Sequence, residues 1–464
     1  MKSHGDETTG SFSSLFNSPS CLFQRELIID LGKSMFEKGP RSSFPPTGVP
    51  SGYTYFGQFI DHDITRLKRG ENPPSSRPRT LNELIQLRTP QLDLDSIYGD
   101  GFNDSSIPID RTTGKMHLGP SIDSSGTLHP NKDLPRNDKK KALIGDDRND
   151  ENFIISQLHT QFLKLHNKTI DKLATHGKSG VQAYEEAKKE TILTYQHVVL
   201  HDFLKELCDH VLWEIIVNKD TSLIWDTLKC EEPRMPIEFS GAAFRFGHSM
   251  VRKTYTLNSK KQAIPISEIF NLTGKGQLNS QDYVFEEQII DWKFFFKLNK
   301  DSYIANLALP INPFVKVELP NNKTGIKHLS SLNLLRGNEI GLPCAQAILE
   351  SIPKELKKLI SILPEDKIDK HKLLENVCKD FKKKTPLWFY ILSEADNMSD
   401  GKKLGSLGSL IVLDTLKGLI SQSKVSILES PEWRSMHINT HPFKIEDILT
   451  EVNKETEHDN SGRL

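Results

Sequence analysis

One short segment of the sequence places an amide, a carboxylate and an imidazole side by side. It is YTYFGQFIDHDIT, residues 53–65, in which Gln58, Asp61 and His62 stand at positions i, i+3 and i+4. On an α-helix these three side chains share one face. Because the ordinary pKa of histidine lies near neutral pH, this imidazole can accept and return a proton. The alternative is the start of a surface helix with a capping aspartate.

A second segment, LIGDDRNDENF at residues 143–153, pairs a cation with a carboxylate. Arg148 and Glu151 stand three residues apart at the predicted start of a helix. The fixed positive charge of arginine can stabilise a bound anion. The alternative is a capping and salt-bridge cluster, since acidic residues are favourable at a helix N-terminus.

Two further segments contain a polar residue and an arginine three positions apart. EFSGAAFRFGHSMVRKTY, residues 238–255, holds Arg245 and His248, and SLNLLRGNEIGLP, residues 331–343, holds Asn333 and Arg336. His248 follows small and aromatic residues, so it is either a metal ligand or a core histidine whose proton is satisfied. An ordinary surface helix explains the second segment equally well.

Helical periodicity predicts the elements that position these residues. Apolar residues recur every three to five positions from 152 to 174, as on one helix face. Residues 66–80 and 101–140 are predicted as loops because apolar positions are few there. Strand-like runs are few and short, so the fold class is mainly α, as one large domain with long loops. Further helices are predicted at 181–217, 345–363, 370–384 and 403–422.

The composition limits the class of protein and of partner. The 464 residues are 36% apolar, and 60 basic against 61 acidic residues give a net charge of -1, which favours no nucleic-acid partner. There is no run of about 18 apolar residues for a transmembrane segment. The N-terminus lacks the apolar stretch of a signal peptide, so we expect a cytoplasmic or non-classically secreted protein. The oligomeric state is left open.

The cysteines argue against a disulfide scaffold and against structural zinc. There are five, widely spaced and without a Cys-x-x-Cys pair. Buried free thiols are the simplest interpretation.

The order and spacing of the four polar segments resemble the animal-type haem peroxidase family of the peroxidase–cyclooxygenase superfamily. The matching motifs are Gln-x-x-Asp-His-Asp, Arg-x-x-Glu and Phe-Arg-Phe-Gly-His, and residues 385–420 resemble the shorter bacterial members. The similarity runs from about Phe16 to about Trp433. It implies a haem peroxidase domain at 15–450, with a loose arm at 1–14 and a frayed tail at 451–464.

This resemblance implies an enzyme that reduces hydrogen peroxide while it oxidises small organic donors, halide ions or pseudohalide ions. His62 matches the distal histidine that moves protons on peroxide. Arg148 matches the distal arginine that stabilises negative charge on peroxide. Gln58 matches the distal glutamine that binds water or a small anion.

On the other side of the haem, the resemblance makes His248 the proximal iron ligand. Asn333 matches the asparagine that accepts a hydrogen bond from the second ring nitrogen, which sets the basicity of the ligand. Arg245 and Arg336 match basic positions near the haem, where Arg336 is expected to pair with a propionate.

Two carboxylates match positions that form ester bonds to haem methyl groups in the mammalian members. They are Asp61 and Glu151, so the resemblance implies covalent attachment; the alternative is that both acids stay free. Asn152 stands where myeloperoxidase has a methionine. A sulfonium link at that position is therefore excluded.

The resemblance also implies a calcium site. Asp63 matches the first ligand, and the segment TPQLDLDSIYG, residues 89–99, supplies the others. Alternate residues of an extended strand would present oxygen atoms to one side, as calcium prefers. The alternative is an acidic, solvated turn. The matching positions are Thr89, Gln91, Asp93 and Asp95.

Two other functions use the same scaffold. A fatty-acid dioxygenase or cyclooxygenase needs a radical tyrosine, which in cyclooxygenases stands three residues before the proximal histidine, where this chain has Arg245. A binding or adhesion protein with a vestigial haem pocket is the other alternative, and the retained His62, Arg148 and His248 argue against it.

Overall fold

The structure is a computed structural model that describes residues 11–37, 47–68, 78–228, 232–260, 262–298, 304–318 and 325–454. Helices dominate it, with short 3₁₀ and π turns between them. The helices are α1 (Arg25–Glu37), α2 (Gly52–Ile64), α3 (Asp95–Tyr98), α4 (Phe153–Ala174), α5 (Gly180–Val198), α6 (Leu204–Leu207), α7 (His210–Trp213), α8 (Ile237–Gly241), α9 (Gly247–Met250), α10 (Ile266–Asn271), α11 (Leu329–Glu339), α12 (Ala345–Ser351), α13 (Lys354–Lys357), α14 (Glu365–Ile368), α15 (Leu387–Ser399), α16 (Ser406–Ser421) and α17 (Ile445–Val452).

The strands are short and form three small sheets in the described residues. They are β1 (Ser11–Ser13), β2 (Gly119–Ile122), β3 (Leu128–Asp133), β4 (Arg234–Pro236), β5 (Thr254–Tyr255), β6 (Ile264–Pro265) and β7 (Val284–Phe285). β1 pairs with β4 in parallel, and β5 pairs with β6 antiparallel. β2 lies between β3, which is antiparallel to it, and β7, which is parallel. The prediction of a mainly α fold with few short strands is confirmed.

The described residues group into two compact units. The first comprises the described parts of Met1–Leu92, Phe203–Lys253 and Leu307–Lys424. The second comprises those of Asp93–Asp202, Thr254–Asn306 and Val425–Leu464.

Two apolar helices, α15 and α16, form the centre of the first unit. All but one of the sixteen residues of α16 are buried. The Glu394 carboxylate of α15 caps α16 by accepting from the N–H groups of Leu407 at 3.0 Å and Gly408 at 3.1 Å. Gly405 permits this approach, because a Cβ there would overlap the Glu394 side chain.

α1 packs against α11, which carries Asn333. Two hydroxyls of α11 fasten the pair: Ser330 donates to the Gly32 carbonyl at 2.6 Å and Ser331 to the Ile29 carbonyl at 3.0 Å. The backbones approach so closely that a Cβ at Gly32 would overlap Ser331. The position of α11 therefore depends on a glycine in α1.

The long helix α4 organises the second unit, where it packs against α5, α10 and α17. Its first turn is capped by Asn152, whose side-chain oxygen accepts from Ile155 N–H at 3.0 Å. The helix predicted from 152 to 174 is present at these bounds.

Other predicted elements differ. The helix predicted at 181–217 is divided. α5 continues into a π-helical turn at Val199–Phe203 and then α6, and this helix ends at Leu207, before α7 begins at His210. The single helix predicted at 370–384 is wrong, because these residues form turns and a short 3₁₀ helix, Lys379–Lys382. The Asp369 carboxylate accepts from the N–H groups of Leu373, Leu374 and Glu375, which favours a turn.

The outer segments differ from the predictions in part. Of the arm predicted at 1–14, residues 1–10 lie outside the described residues, and Ser11–Ser13 form β1 rather than loose chain. Of the tail predicted at 451–464, the first residues continue α17 and residues 455–464 lie outside the described part. The loop predicted at 101–140 contains β2 and β3, and most of the 66–80 loop, residues 69–77, is not described.

Candidate active site

Helix α2 leaves one narrow accessible face. Ten of its thirteen residues are buried, and Gly57, Gln58 and Asp61 remain partly accessible. His62 lies next to this face and is 5% exposed. Thr65 fixes the Asp61 side chain, since its hydroxyl donates to the Asp61 carboxylate and to the Asp61 carbonyl, both at 2.9 Å. The predicted amide, carboxylate and imidazole are thus brought onto one helical turn.

Within the same unit, α2 lies against α9, which carries His248. The Asn333 side-chain nitrogen is 2.6 Å from His248 Nδ1. The Asn333 oxygen accepts from Arg245 Nη1 at 3.0 Å. The structure therefore brings together three of the predicted proximal residues, but the Asn333 amide turns its nitrogen to the ring and its oxygen to Arg245.

The environment of His248 keeps its imidazole neutral. Burial and, secondarily, the nearby Arg245 guanidinium lower its pKa to about 3. Nδ1 is held by Asn333, and Nε2 forms no hydrogen bond with any described residue. A neutral imidazole with one nitrogen held and the other open is suited to ligating a metal.

Arg245 links this proximal group to α2. Its Nε donates to the Ser240 carbonyl at 2.7 Å, and its own carbonyl accepts from the Trp388 indole at 3.2 Å. Burial lowers the pKa of Arg245, while the negative charge of Asp61 opposes this shift. Arg245 was predicted only as a basic neighbour of the haem, and its contact with Asn333 was not foreseen.

Arg336 lies on α11, three residues after Asn333. It forms an ion pair with Glu339 at 3.7 Å, and Glu339 also pairs with Arg79 at 3.4 Å. All three lie in the first unit.

In the second unit, Arg148 lies in a 3₁₀ turn, Asp147–Asp150, and Glu151 ends that turn. Asp146 is fully buried and orients Arg148 through several hydrogen bonds: its carboxylate accepts from the Arg148 N–H at 2.9 Å, from Nε at 3.1 Å and from Nη2 at 2.8 Å. The spacing of residues does not predict the role of Asp146, whose only signal in the sequence is an acidic residue two positions before the arginine.

A buried ion-pair cluster supports the same turn. Arg136 donates to Asp133 at 2.7 Å and to Asp150 at 2.7 Å, and the Asp150 carboxylate also accepts from Gly274 N–H at 2.9 Å. Burial disfavours the charge on Arg136, but the two carboxylates raise its pKa above the ordinary value. Nothing in the spacing of these residues indicated the cluster.

The predicted calcium ligands are distributed over both units. Asp63 is fully buried in α2, and Gln91 donates from its side chain to the Gln422 carbonyl at 3.3 Å. Thr89 lies in irregular chain two residues before Gln91.

Asp93 and Asp95 lie in the second unit. Burial and the charge of Asp95 raise the pKa of Asp93 to about 7. The extended strand expected at residues 89–95 is absent, because these residues bend, Leu94 has a left-handed φ of 57°, and α3 begins at Asp95.

Comparison with known proteins identifies the family. The sequence profile of the animal haem peroxidases matches residues 67–419, which include Arg148, His248 and Asn333. The chain belongs to the animal haem peroxidase family. The match begins after α2, so Gln58, Asp61 and His62 lie outside it.

Relatives in this family are distant and longer. The chain is 23% identical over 295 residues to the peroxidasin homolog pxn-2 of Caenorhabditis elegans, covering 59% of this chain and 21% of that protein. It is 27% identical over 215 residues to the thyroid peroxidase of Canis lupus familiaris, covering 43% of this chain and 21% of that protein. The chain thus spans about a fifth of each of these relatives.

Solved structures share the fold. Peroxidase A from Dictyostelium discoideum superposes with a TM-score of 0.65 at 14% identity, covering 96% of this chain and 93% of that one. A fatty acid alpha-dioxygenase of Oryza sativa gives 0.63 at 14% identity, covering 98% and 86%. Among the described residues of this peroxidase-family chain, no helix has the length and apolarity needed to cross a membrane.

Proposed function

We propose that this chain is a haem peroxidase in which His248 ligates the iron. The observation that carries the proposal is the contact between Asn333 and His248, which holds Nδ1 of a partly accessible, neutral imidazole and leaves Nε2 without a hydrogen bond to any described residue. This donor set fits haem once the ring proton lies on Nδ1, because a histidine ligand coordinates through an unprotonated nitrogen and is oriented through its other nitrogen, here Nδ1 beside Asn333. When bound, haem supplies the electrons that reduce hydrogen peroxide to water.

The remaining polar residues handle protons and charge. His62 would accept the proton that peroxide loses and return it to the departing oxygen. Arg148, held by Asp146, would stabilise the negative charge that develops on the peroxide. Gln58 would hold a water molecule or small anion from the accessible face of α2.

Small donors complete the proposed reaction. They are phenolic or other organic molecules, or halide and pseudohalide ions, as the family resemblance implies. Arg245 stands where a cyclooxygenase has its radical tyrosine, and it donates to Asn333, so we favour the peroxidase over the dioxygenase.

The proposed haem attachment uses both acids. Asp61 is partly accessible and fixed by Thr65, which suits a carboxylate that reacts with a haem methyl group. Glu151 is the proposed second ester position. If haem extracts completely and unmodified into acidified ketone, both esters are absent.

We also propose that Asp93 and Asp95 bind calcium, together with Asp63, Thr89 and Gln91 as the resemblance implies. The raised pKa of Asp93 supports this, because burial and then the charge of Asp95 disfavour its carboxylate, and a bound cation would offset both effects. Calcium at about 100 times its Kd would raise the free energy of unfolding by about 2.7 kcal/mol. Thermal midpoints with calcium and with chelator test this: Asp93→Asn should abolish the difference, and Asp100→Asn, at an exposed position, should retain it.

Reconstitution with haem tests the main proposal. His248→Ala should lose the haem Soret band or its ligand signature, whereas His62→Ala should keep the spectrum and lose peroxide-dependent dye oxidation. His176→Ala, at an exposed histidine, is the matched control and should do neither. A wild-type chain that binds no haem, or one that consumes oxygen with a fatty acid but does not react with peroxide, would contradict the proposal.

A further inference from the structure

Cys21 and Cys344 are neighbours, although 322 residues separate them in the sequence. Both are free thiols, and each side chain is the largest single influence on the pKa of the other. Cys21 is partly accessible and Cys344 is 3% exposed. Both belong to the first compact unit.

Backbone hydrogen bonds hold Cys21 in this place. Its N–H donates to the Leu342 carbonyl at 2.9 Å. Two residues later, Phe23 N–H donates to the Asn338 side chain at 3.3 Å, and the Asn338 amide donates to the Phe23 carbonyl at 2.7 Å. The segment is therefore fastened to the end of α11 at two points.

Cys344 is held equally firmly from the other side. Its carbonyl accepts from Ile348 N–H at 3.2 Å in the first turn of α12. It also forms an antiparallel bridge with Pro386, and Ala345 N–H donates to the Thr385 carbonyl at 3.0 Å. The meeting of the two thiols thus follows from the fixed backbone on both sides.

The two thiols have complementary properties. Hydrogen bonding from Cys344, and to a smaller extent the charge of Lys384, lower the pKa of Cys21 to about 6, although burial opposes the shift. These interactions favour the thiolate form of Cys21, and the thiolate is the nucleophile. By contrast, the interaction with Cys21 and burial raise the pKa of Cys344 far above the ordinary value. A low-pKa, accessible cysteine beside a second thiol is the usual arrangement of oxidation-sensitive cysteines.

A small cavity lies at this position. It has a volume of about 20 Å³, and Cys21, Asn338 and Leu342 are among its lining residues. This volume suffices for one molecule about the size of water.

We propose that Cys21 and Cys344 form a dithiol site that peroxide oxidises to a disulfide. The Cys21 thiolate attacks one peroxide oxygen, the O–O bond breaks, and the departing hydroxide takes a proton to become water, which leaves Cys21 as a sulfenic acid. The Cys344 sulfur then attacks the Cys21 sulfur, its proton goes to the displaced hydroxide, and a second water leaves. Two thiols lose two electrons in total, and one peroxide molecule becomes two water molecules.

This site is independent of the proposed haem reaction. Its chemistry needs peroxide and the two sulfur atoms alone, so it should operate in the full-length chain without haem. Cys344 acts on Cys21 and not on peroxide, since it is buried.

Thiol mapping by mass spectrometry tests the proposal. The full-length chain without haem is treated with one equivalent of hydrogen peroxide at pH 7, blocked with an alkylating reagent, and digested without reduction. We expect a peptide pair joined through Cys21 and Cys344, and oxidation of Cys21 about tenfold faster than of Cys378, because Cys344 favours the Cys21 thiolate and can then react with the oxidised Cys21. Cys378→Ser is the matched control and should leave the joined pair unchanged.

Two variants separate the steps. Cys344→Ser should trap the sulfenic acid on Cys21, detected as a dimedone adduct, while Cys21→Ser should give no such adduct on Cys344. Cys344→Ala serves if the serine variant folds poorly, and the wild-type measurement needs no variant. A Cys21 that stays reduced while Cys378 reacts, or that pairs with a cysteine other than Cys344, would overturn the proposal.

Discussion

The side-chain nitrogen of Asn333 lies 2.6 Å from Nδ1 of His248. Arg245 explains this orientation: its guanidinium has only N–H donors, so it takes the Asn333 oxygen and leaves the amide N–H groups for the ring. His248 Nδ1 then accepts, and the ring proton stays on Nε2. Ligation of a metal through Nε2 moves that proton to Nδ1, so the amide must turn and Arg245 must take another acceptor.

Replacing Asn333 tests this hydrogen-bond arrangement. Asn333→Leu removes the amide nitrogen that faces His248 and the amide oxygen that faces Arg245. It should lower haem affinity or turnover about 10- to 100-fold, because the ring of the iron ligand loses the hydrogen bond that orients it. Asn333→Asp accepts from Arg245 and from a protonated Nδ1 at once, so it should retain haem and lower the reduction potential. Haem titration and spectroelectrochemistry measure these effects. Equal affinities for wild type and Asn333→Leu would show that the contact has no role in ligation.

Asp146 positions Arg148, and its removal should therefore impair the reaction with peroxide. Asp146→Asn keeps the size and shape of the side chain but removes the negative charge that strengthens its hydrogen bonds with Arg148. A charge-assisted hydrogen bond contributes about 1.5–3 kcal/mol, so the rate constant for peroxide should fall about tenfold or more. Stopped-flow kinetics should show this fall with an unchanged resting haem spectrum. Asp147→Asn, at an exposed position, is the control, and an equal fall there would contradict the role of Asp146.

The buried Arg136 cluster should be essential for stability in the second unit. Arg136→Met leaves Asp133 and Asp150 without their shared cation, and loss of one partner of a buried pair costs about 3–5 kcal/mol. Urea unfolding measures the change in the free energy of unfolding. Lys139→Met, at an exposed lysine in the neighbouring turn, should change it little. A small effect of Arg136→Met would mean that the carboxylates find other partners.

Glu394 predicts a dependence of stability on pH. Burial raises its pKa from 4.5 to about 7, although the Leu407 and Gly408 N–H groups lower it. The folded state therefore holds this proton more tightly than the unfolded state, so its contribution is complete below about pH 4.5 and is lost as the pH rises through 7. The loss amounts to about 3 kcal/mol.

Glu394→Gln should remove this contribution to the pH dependence. Unfolding midpoints from pH 5 to pH 8 should vary less in this variant than in the wild type, and the exposed Glu429→Gln should match the wild type. An unchanged slope in Glu394→Gln would assign the pH dependence to other groups.

The sequence predicts well where one pattern dominates. The helices α4 and α16 were predicted because each has a long helical sequence pattern. The pairing of Asn333 with His248 was predicted from the resemblance to the animal haem peroxidases. Residues 370–384 were missed because a single side chain, Asp369, binds the backbone N–H groups of the turn. Asp146 and Arg136 were missed for a related reason: their roles depend on burial and on contacts that the spacing does not encode.

The close packing of Gly32 against Ser331 extends the site far beyond the residues that surround it. A side chain at position 32 would displace α11, and with it the amide that faces His248. Substitutions in α1 are therefore restricted, because they would disturb the contact between Asn333 and the proposed iron ligand His248, which is more than 200 residues away in the sequence. In a directed-evolution experiment, substitutions at position 32 would change the orientation of the His248 imidazole although residue 32 does not contact that ring.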